Sequence, residues 1–407
     1  MRHRLIVAAV ITLSAALAGC SAPADSAPDV TATTAPSANG DGHGQISGAR
    51  ELAEPALHLA TVSPAGEIQH LDLLDESREV LARIEPADDV VTDGRLLFAI
   101  REGGVTVIDS GVWTWSHVDH FHYYEAPSRV VGEVSGRGIP TVVPGETGVG
   151  IQFDDQAVLL DTAGLADGDI EERFRLDIDP HEGLVVPLSR GALVTEPDAA
   201  GDPQGLRVVT AEGEERDLLD CVHAAGTITT VVGVVVGCAD GALLLPGGDA
   251  NGAERIAYPE HAPAGAVRFA AREARPTVAA TTVAGGSTVW ILDTRARTWE
   301  VWDAGQEVVD AAAIDDAEER VLALAADGSV LVMADGTVTA RTESLVARSL
   351  GDEEMARHVR FVVDQKRAYL NGPVENMLWE IDPADDARIA RSFPTDAAPM
   401  HLAGTGR

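Results

Sequence analysis

The chain contains 407 residues, with 65 acidic residues against 30 lysines and arginines, so that its formal net charge at pH 7 is −35. A surface this acidic repels the phosphates of nucleic acids and of anionic lipid headgroups, and we therefore expect no nucleic-acid partner. Cations, in contrast, are attracted by such a surface.

The N-terminus has the pattern of an export signal. Arg2 and Arg4 precede an apolar run from Leu5 to Leu17, which is followed by small residues. A charged start, a short apolar core and a small-residue cleavage site are typical of a secretory signal. The run is shorter than the roughly 20 apolar residues of a membrane-spanning helix. We assign residues 1–19 to a signal peptide.

The four residues Leu-Ala-Gly-Cys that end at Cys20 resemble the lipobox of bacterial lipoproteins. This resemblance implies cleavage before Cys20 and diacylation of its thiol, so that a lipid and not a helix holds the protein at the membrane. The alternative is an ordinary cleaved signal next to an unrelated cysteine. With the lipid anchor, we expect the protein outside the cytoplasm, on the outer face of the cell membrane.

Residues 20–50 follow the signal and are rich in Ala, Pro, Ser, Thr, Asp and Gly, with almost no large apolar side chain to bury. This composition predicts a disordered tether between the membrane and the folded domain. His43 lies in the tether, where a single histidine is either a spacer or a contributor to metal binding.

Residues 51–407 contain short β-rich runs separated by Gly, Asp, Pro and Asn. The runs repeat with four strands per roughly 40–45 residues, which predicts an all-β fold, a β-propeller. The first segment supplies only three strands, and the C-terminal run Met400–Gly406 supplies the missing one. A ring closed by N- and C-terminal strands removes exposed sheet edges and favours eight blades, with seven as the alternative. Helix is expected only around Asp352 to Arg357.

The stretch Trp113–Tyr124 lies between the third and fourth strands of the second predicted blade and contains three histidines, one aspartate and five aromatics. In an extended chain, His120 and His122 project from one side, and His117 and Asp119 from the other. Neutral imidazoles together with a carboxylate and no thiolate suit Zn²⁺, so we predict that His120 and His122 chelate one zinc ion. The alternative is a surface loop with solvated histidines.

Four more histidines lie where one predicted blade passes to the next, and these are His181, His223, His261 and His401. Such connections end near one mouth of the central channel, so their side chains are expected to converge there. A hairpin between third and fourth strands leaves on the opposite face. Either the hairpin folds across the channel, or there are two metal sites.

Cys221 and Cys238 remain as an even pair once Cys20 carries lipid. In an oxidising compartment such a pair predicts a disulfide.

Several motifs together resemble those of the AztD-type zinc metallochaperones: HVDHFHYYEAP, DPHEGLVVPLS, DCVHAAG followed by VGCADGALL, and APMHLAG. They occur in the same order, from the first strand to the C-terminus. The resemblance implies an exported protein that binds Zn²⁺ and delivers it to the solute-binding protein of a zinc ABC importer, without catalysing a reaction. We expect a monomer that touches the membrane through its lipid anchor only.

The predicted zinc ligands are His117, His120 and His122, with His181 as fourth ligand, while Asp119 either ligates or orients a ligand. His223 and His401 are further candidate ligands, and Glu125 and Glu182 are predicted to accept hydrogen bonds from ligand rings. Two other functions fit a propeller. One is a metal-dependent hydrolase of the lactonase kind. The other is an interaction scaffold that needs no metal.

Overall fold

The computed structural model describes residues 44–116, 120–262, 265–266, 268–282 and 285–407. These residues form eight four-stranded antiparallel sheets and one three-stranded sheet. Many strands read as continuous apolar runs because both of their faces are buried, as in Leu96–Arg101 and Gly148–Gln152. The all-β propeller predicted from the sequence is confirmed.

The strands follow one another along the chain with few interruptions. The first ten are β1 (Arg50–Leu52), β2 (His58–Val62), β3 (Glu67–Asp72), β4 (Arg78–Arg83), β5 (Asp89–Thr92), β6 (Leu96–Arg101), β7 (Gly104–Asp109), β8 (Val112–Ser116), β9 (Phe121–Glu125) and β10 (Arg129–Ser135). β5, β6, β7 and β10 form one sheet, while β8, β9 and β1 form the three-stranded sheet.

Six further sheets each use four consecutive strands. The first three contain β11 (Thr141–Pro144), β12 (Gly148–Gln152), β13 (Gln156–Asp161), β14 (Glu172–Asp177), β15 (Val185–Leu188), β16 (Gly191–Pro197), β17 (Pro203–Val209), β18 (Glu215–Asp220), β19 (Thr227–Thr229), β20 (Gly233–Cys238), β21 (Gly241–Pro246) and β22 (Glu254–Ala257). The next three contain β23 (Arg268–Ala270), β24 (Thr277–Thr281), β25 (Thr288–Asp293), β26 (Thr298–Asp303), β27 (Val308–Ala313), β28 (Val321–Ala325), β29 (Ser329–Ala334), β30 (Thr337–Ser344), β31 (Phe361–Val363), β32 (Ala368–Gly372), β33 (Met377–Asp382) and β34 (Arg388–Pro394).

The last strand, β35 (His401–Thr405), closes the remaining sheet. It pairs antiparallel with β2, so that His401 faces Val62 and Thr405 faces His58, and the sheet order is β35-β2-β3-β4. The predicted joining of N- and C-terminal strands in one sheet is confirmed. The blade number stays a prediction, which the eight four-stranded sheets of the described residues support.

The innermost strands of neighbouring sheets contact one another around a central axis. Contacts join β35 to β5, β5 to β11 and β11 to β15, and also β19 to β23, β23 to β27, β27 to β31 and β31 to β35. The sheets that begin with β15 and β19 share a buried cluster that includes Leu188, Val234 and Val236. Each sheet therefore packs its apolar face on the next one, and these interfaces form the core.

Helix is confined to short connections. Helix α1 (Thr162–Asp167) begins at Asp161, whose carboxylate accepts hydrogen bonds from two backbone N–H groups, and it ends at Gly168 with a φ of 98°. Helix α2 (Ala347–Leu350) and 3₁₀ turns at Ala250–Gly252 and Ala356–His358 complete the set in the described chain. The prediction of a helix around residues 352–357 is therefore wrong: this segment contains only a single 3₁₀ turn, which begins at Ala356 near its end.

Cys221 and Cys238 form the predicted disulfide, with 5.1 Å between their Cα atoms. The bridge joins the connection after β18 to the end of β20, and both cysteines are buried. In the described residues, no helix has the length and apolar character needed to cross a membrane.

Candidate metal centre

The histidine-rich stretch forms a hairpin beside the second sheet. β8 and β9 pair antiparallel, with Trp115 opposite His122, and β9 also pairs with β1, where Arg50 lies opposite Glu125. The N-terminal strand β1 thus adds a third strand to the sheet that the hairpin forms. Since directly opposed residues share one face of a sheet, His122 projects on the same side as Trp115.

The hairpin is fixed to the propeller at its base. The Trp113 Nε1–H donates to the Gly44 carbonyl at 3.0 Å, and the Arg95 guanidinium lies 4.0 Å from the centre of a Trp113 ring. Arg95 in turn forms two hydrogen bonds with the buried carboxylate of Asp109, at the end of β7. The Thr114 hydroxyl donates to the Gly406 carbonyl at 2.7 Å. These contacts hold the base of the hairpin, whereas Ser116, His120 and Phe121, towards its other end, are exposed.

At the tip, two imidazoles face each other. The Nε2 atoms of His120 and His122 are 3.0 Å apart. The other ring nitrogen of His122, Nδ1, lies 2.6 Å from Glu51 Oε1 on β1. Because a carboxylate accepts and Nδ1 donates, His122 carries its proton on Nδ1 and turns the Nε2 lone pair towards His120. This arrangement matches a metal-ligating imidazole supported by a carboxylate.

Two of the predicted ligands, His117 and Asp119, lie outside the described residues. Within residues 44–116, 120–262, 265–266, 268–282 and 285–407, no group of three or more His, Cys, Asp or Glu side chains is arranged to hold a metal ion. The structure therefore brings together two predicted ligands, His120 and His122. The complete ligand set stays a prediction.

His181 lies in a different environment from the hairpin. Its Nδ1 is 2.6 Å from the Asp179 carbonyl, and its Nε2 is 3.0 Å from both oxygens of Thr195. Gln152 donates to the His181 carbonyl and accepts from the Thr195 hydroxyl, so a buried polar network holds the loop. Both ring nitrogens thus contact protein acceptors in this conformation.

The connections of the sheets explain why His181 and the hairpin are separate. The His181 amide donates to Asp154, in the turn between β12 and β13, whereas the hairpin joins the third strand of its sheet to the fourth. In an antiparallel four-stranded blade, second-to-third turns share a face with the connections between blades, and third-to-fourth turns lie on the other face. His181 and the hairpin therefore lie on opposite faces of the propeller.

His401, the first residue of β35, is buried and lies close to the ionisable side chains of Asp89 and His358. Its Nε2 is 3.1 Å from the Ala87 carbonyl, its Nδ1 is 3.7 Å from Asp89, and its ring meets that of His358 edge to face at 4.7 Å between centroids. Burial, and then the nearby His401, lower the pKa of His358 to about 4. This imidazole pair lies on the face of the connections between sheets, as His181 does.

The other predicted residues are dispersed. His223 is exposed in a left-handed conformation with φ of 52°, and its N–H donates to the Pro203 carbonyl at 2.7 Å. Glu125 forms an ion pair with Arg50 and Glu182 is exposed. The carboxylate that contacts Nδ1 of His122 is that of Glu51, and the predicted role of Glu125 stays a prediction.

Sequence reasoning missed two residues of these sites. Glu51 gave no detectable pattern, because its contact with His122 spans 71 positions. His358 could have been found by the pattern that singled out His223 and His261, because all three lie in connections between one sheet and the next. His358 lies between β30 and β31.

The fold and the hairpin together define a β-propeller with an imidazole-bearing insertion next to its closing strand. Among solved structures, apo AztD from Citrobacter koseri is similar to this chain with a TM-score of 0.73 at 19% identity, covering 86% of this chain and 98% of AztD. A crystal structure of C. koseri AztD gives a TM-score of 0.74 at 18% identity with the same coverage. The resemblance to AztD seen in the motifs is confirmed at the level of the fold.

Enzymes are also among the similar structures. Dihydro-heme d1 dehydrogenase NirN has a TM-score of 0.55 at 14% identity, covering 89% of this chain and 78% of NirN. A putative 6-phosphogluconolactonase from Bacteroides fragilis has a TM-score of 0.50 at 10% identity, covering 86% of this chain and 98% of that protein. No protein-family model and no curated protein matches the sequence. The shared fold therefore leaves the function to be argued from the site.

Proposed function

We propose that this protein is an extracytoplasmic zinc metallochaperone that binds Zn²⁺ at the β8–β9 hairpin and delivers it to the solute-binding protein of a zinc ABC importer. One observation carries the proposal: the Nε2 atoms of His120 and His122 face each other at 3.0 Å, while Glu51 holds Nδ1 of His122.

The distance between the two nitrogens suits a shared zinc ion. Zn–N bonds are about 2.0–2.1 Å long, so two nitrogens on one tetrahedral zinc are about 3.3 Å apart. The two Nε2 atoms at 3.0 Å need to separate by only a few tenths of an ångström, and the proton that His120 Nε2 donates to His122 in the metal-free pair has to move to Nδ1 of His120 when zinc binds. His117 and Asp119, between β8 and His120 in the chain, are the candidates for the remaining positions.

The surroundings of the pair suit transfer better than permanent binding. His120 is exposed, and so are Trp115, which lies opposite His122, and Phe121, which follows His120 in the chain, at 42% and 56%. Transfer between proteins requires an incoming ligand to reach the metal before the first ligands leave, which a closed structural site does not allow. The exposed aromatics offer a partner a contact surface beside the ion.

The extracytoplasmic part of the proposal rests on two features. The Cys221–Cys238 disulfide fits an oxidising compartment, and the export signal with its lipobox-like end at Cys20 fits attachment by lipid. The solute-binding partner follows from the likeness to AztD in motifs and fold. We expect no catalysis, and assays on lactone and ester substrates test the hydrolase alternative.

The experiment replaces both hairpin histidines. We expect His120→Ala with His122→Ala to remove high-affinity zinc binding and to abolish transfer to the zinc-free solute-binding protein of the same cell's zinc importer. Zinc is measured by competition with a chelating dye. Since the tip is exposed, the melting temperature of the metal-free protein should stay nearly unchanged.

The matched control is His261→Ala, an exposed histidine between β22 and β23. It should keep wild-type affinity and transfer. A double hairpin variant that binds zinc with wild-type stoichiometry and affinity would show that the site lies elsewhere. Turnover of a lactone by the wild-type protein would favour the enzyme.

A further inference from the structure

The strand β1 is an unusual element because little apolar burial holds it in place. Its three residues are Arg50, Glu51 and Leu52, of which the first two are exposed and the third is partly buried. Backbone pairing with β9 holds it on the hairpin, and Arg50 and Glu125 form an exposed ion pair beside it. Yet β1 supplies the carboxylate of Glu51, whose Oε1 lies 2.6 Å from Nδ1 of His122.

We propose that Glu51 is a positioning residue for zinc: by accepting a hydrogen bond from Nδ1–H of His122 it fixes the tautomer in which Nε2 carries no proton and can bind a metal, and so makes the N-terminal strand β1 part of the metal site. The inference rests on the proposed function and assigns a role that the hairpin histidines alone do not explain.

The chemistry behind this role is the single proton of a neutral imidazole. If the proton is on Nε2, that nitrogen has no lone pair for a metal. A carboxylate beside Nδ1 stabilises the proton there, orients the ring and raises the basicity of Nε2. Glu51 lies at hydrogen-bond distance from Nδ1, on the side of the ring away from His120.

The two carboxylates near this sheet have different tasks. Glu125 forms an exposed ion pair with Arg50, which water screens, so that the backbone pairing with β9 and not Glu125 keeps β1 in place, whereas Glu51 acts on the ring. Displacement of β1 from the hairpin would remove Glu51 from His122 and weaken zinc binding. The segment that leads to the membrane anchor is thereby coupled to the affinity of the site.

The experiment uses Glu51→Ala, Glu51→Gln and the matched control Glu125→Ala in the mature protein. We expect E51A to weaken Zn²⁺ binding by about 10–100-fold, which is the usual effect of removing such a carboxylate. E51Q keeps an oxygen that accepts the Nδ1 proton, so it should lose less. E125A removes a neighbouring carboxylate without touching His122 and should bind zinc almost as the wild type does.

A second readout does not depend on zinc. In ¹⁵N-detected NMR of the metal-free protein, His122 should be the Nδ1–H tautomer in the wild type, E51Q and E125A, and should shift towards Nε2–H in E51A. Unchanged tautomer or unchanged affinity in E51A would overturn the role of Glu51, as would an equal loss of affinity in E125A. Absence of zinc binding by the wild type would instead overturn the proposed function, and the tautomer would still test the contact.

Discussion

At the scale of single residues, His70 shows how the propeller buries an ionisable group. Its side chain is 1% exposed, its Nε2 is 2.6 Å from the Thr405 hydroxyl, and its ring stacks on that of His58 with 4.2 Å between centroids. Burial, followed by repulsion from His58, lowers the pKa of His70 to about 3. The imidazole therefore stays neutral in the folded protein until the pH falls to about 3.

This burial predicts sensitivity to acid. The unfolded chain takes up a proton on His70 below a pH of about 6.5, but the folded protein does so only near pH 3. The contribution of His70 to stability is thus complete above pH 6.5 and is lost as the pH falls towards 3. In urea unfolding at pH 7 and 4.5, His70→Gln should lose about 2–3 kcal/mol less between the two pH values than the wild type.

The control for this measurement is His261→Gln, the same substitution at an exposed histidine. Its pH dependence should follow that of the wild type. If H70Q also followed the wild type, the acid sensitivity would come from other groups.

Only part of the candidate site could be read from the sequence. Alternation along an extended chain placed His120 and His122 on one side of β9, and their facing Nε2 atoms agree with it. Glu125 and Glu182 were predicted as acceptors from ligand rings, but long-range pairing with β1 places Glu51 beside Nδ1 of His122. A strand of three residues has no periodicity to detect, so no local pattern could reveal this contact.

At the scale of elements, the strands were predictable because turn residues bound each short apolar run. Helix α1 was missed although its signals are present: Asp161 is a good N-cap, and Gly168 adopts the left-handed conformation that ends many helices. Six residues are too few for a helical period to stand out among strands.

The disulfide is the element with the clearest energetic consequence. Cys221 and Cys238 are 17 positions apart, and a cross-link over a loop of this length stabilises by about 3 kcal/mol in the chain-entropy view. The double variant Cys221→Ala with Cys238→Ala should lower the free energy of unfolding by about that amount, as measured by urea denaturation. Zinc affinity should stay unchanged, because the hairpin lies on the other face. A loss of zinc with little loss of stability would contradict both expectations.

At the scale of the whole molecule, closure depends on β35. It pairs with β2 and contacts β5 and β31, and the Asn371 amide donates to the carbonyl of Pro399 in the approach to the strand. A chain that ends at residue 399 would leave the edge of β2 unpaired. We expect it to aggregate and to melt at a lower temperature, as seen by light scattering and calorimetry.

The control for closure is a chain that ends at Thr405 and so keeps the entire strand. It should remain soluble and monomeric by size-exclusion chromatography. A soluble, monomeric protein ending at residue 399 with an unchanged melting temperature would show that β35 is dispensable for closing the ring.

Both ends of the described chain form hydrogen bonds with the base of the hairpin. The Trp113 indole N–H donates to the Gly44 carbonyl. The Thr114 hydroxyl donates to the Gly406 carbonyl, and the Thr114 backbone N–H donates to the Arg407 carbonyl. A polyhistidine purification tag fused after Arg407, or before residue 44 in a shortened protein, would therefore begin at the base of the hairpin that carries the candidate metal centre. Its imidazoles would compete for the same ions, so metal titrations need protein from which every tag has been cleaved.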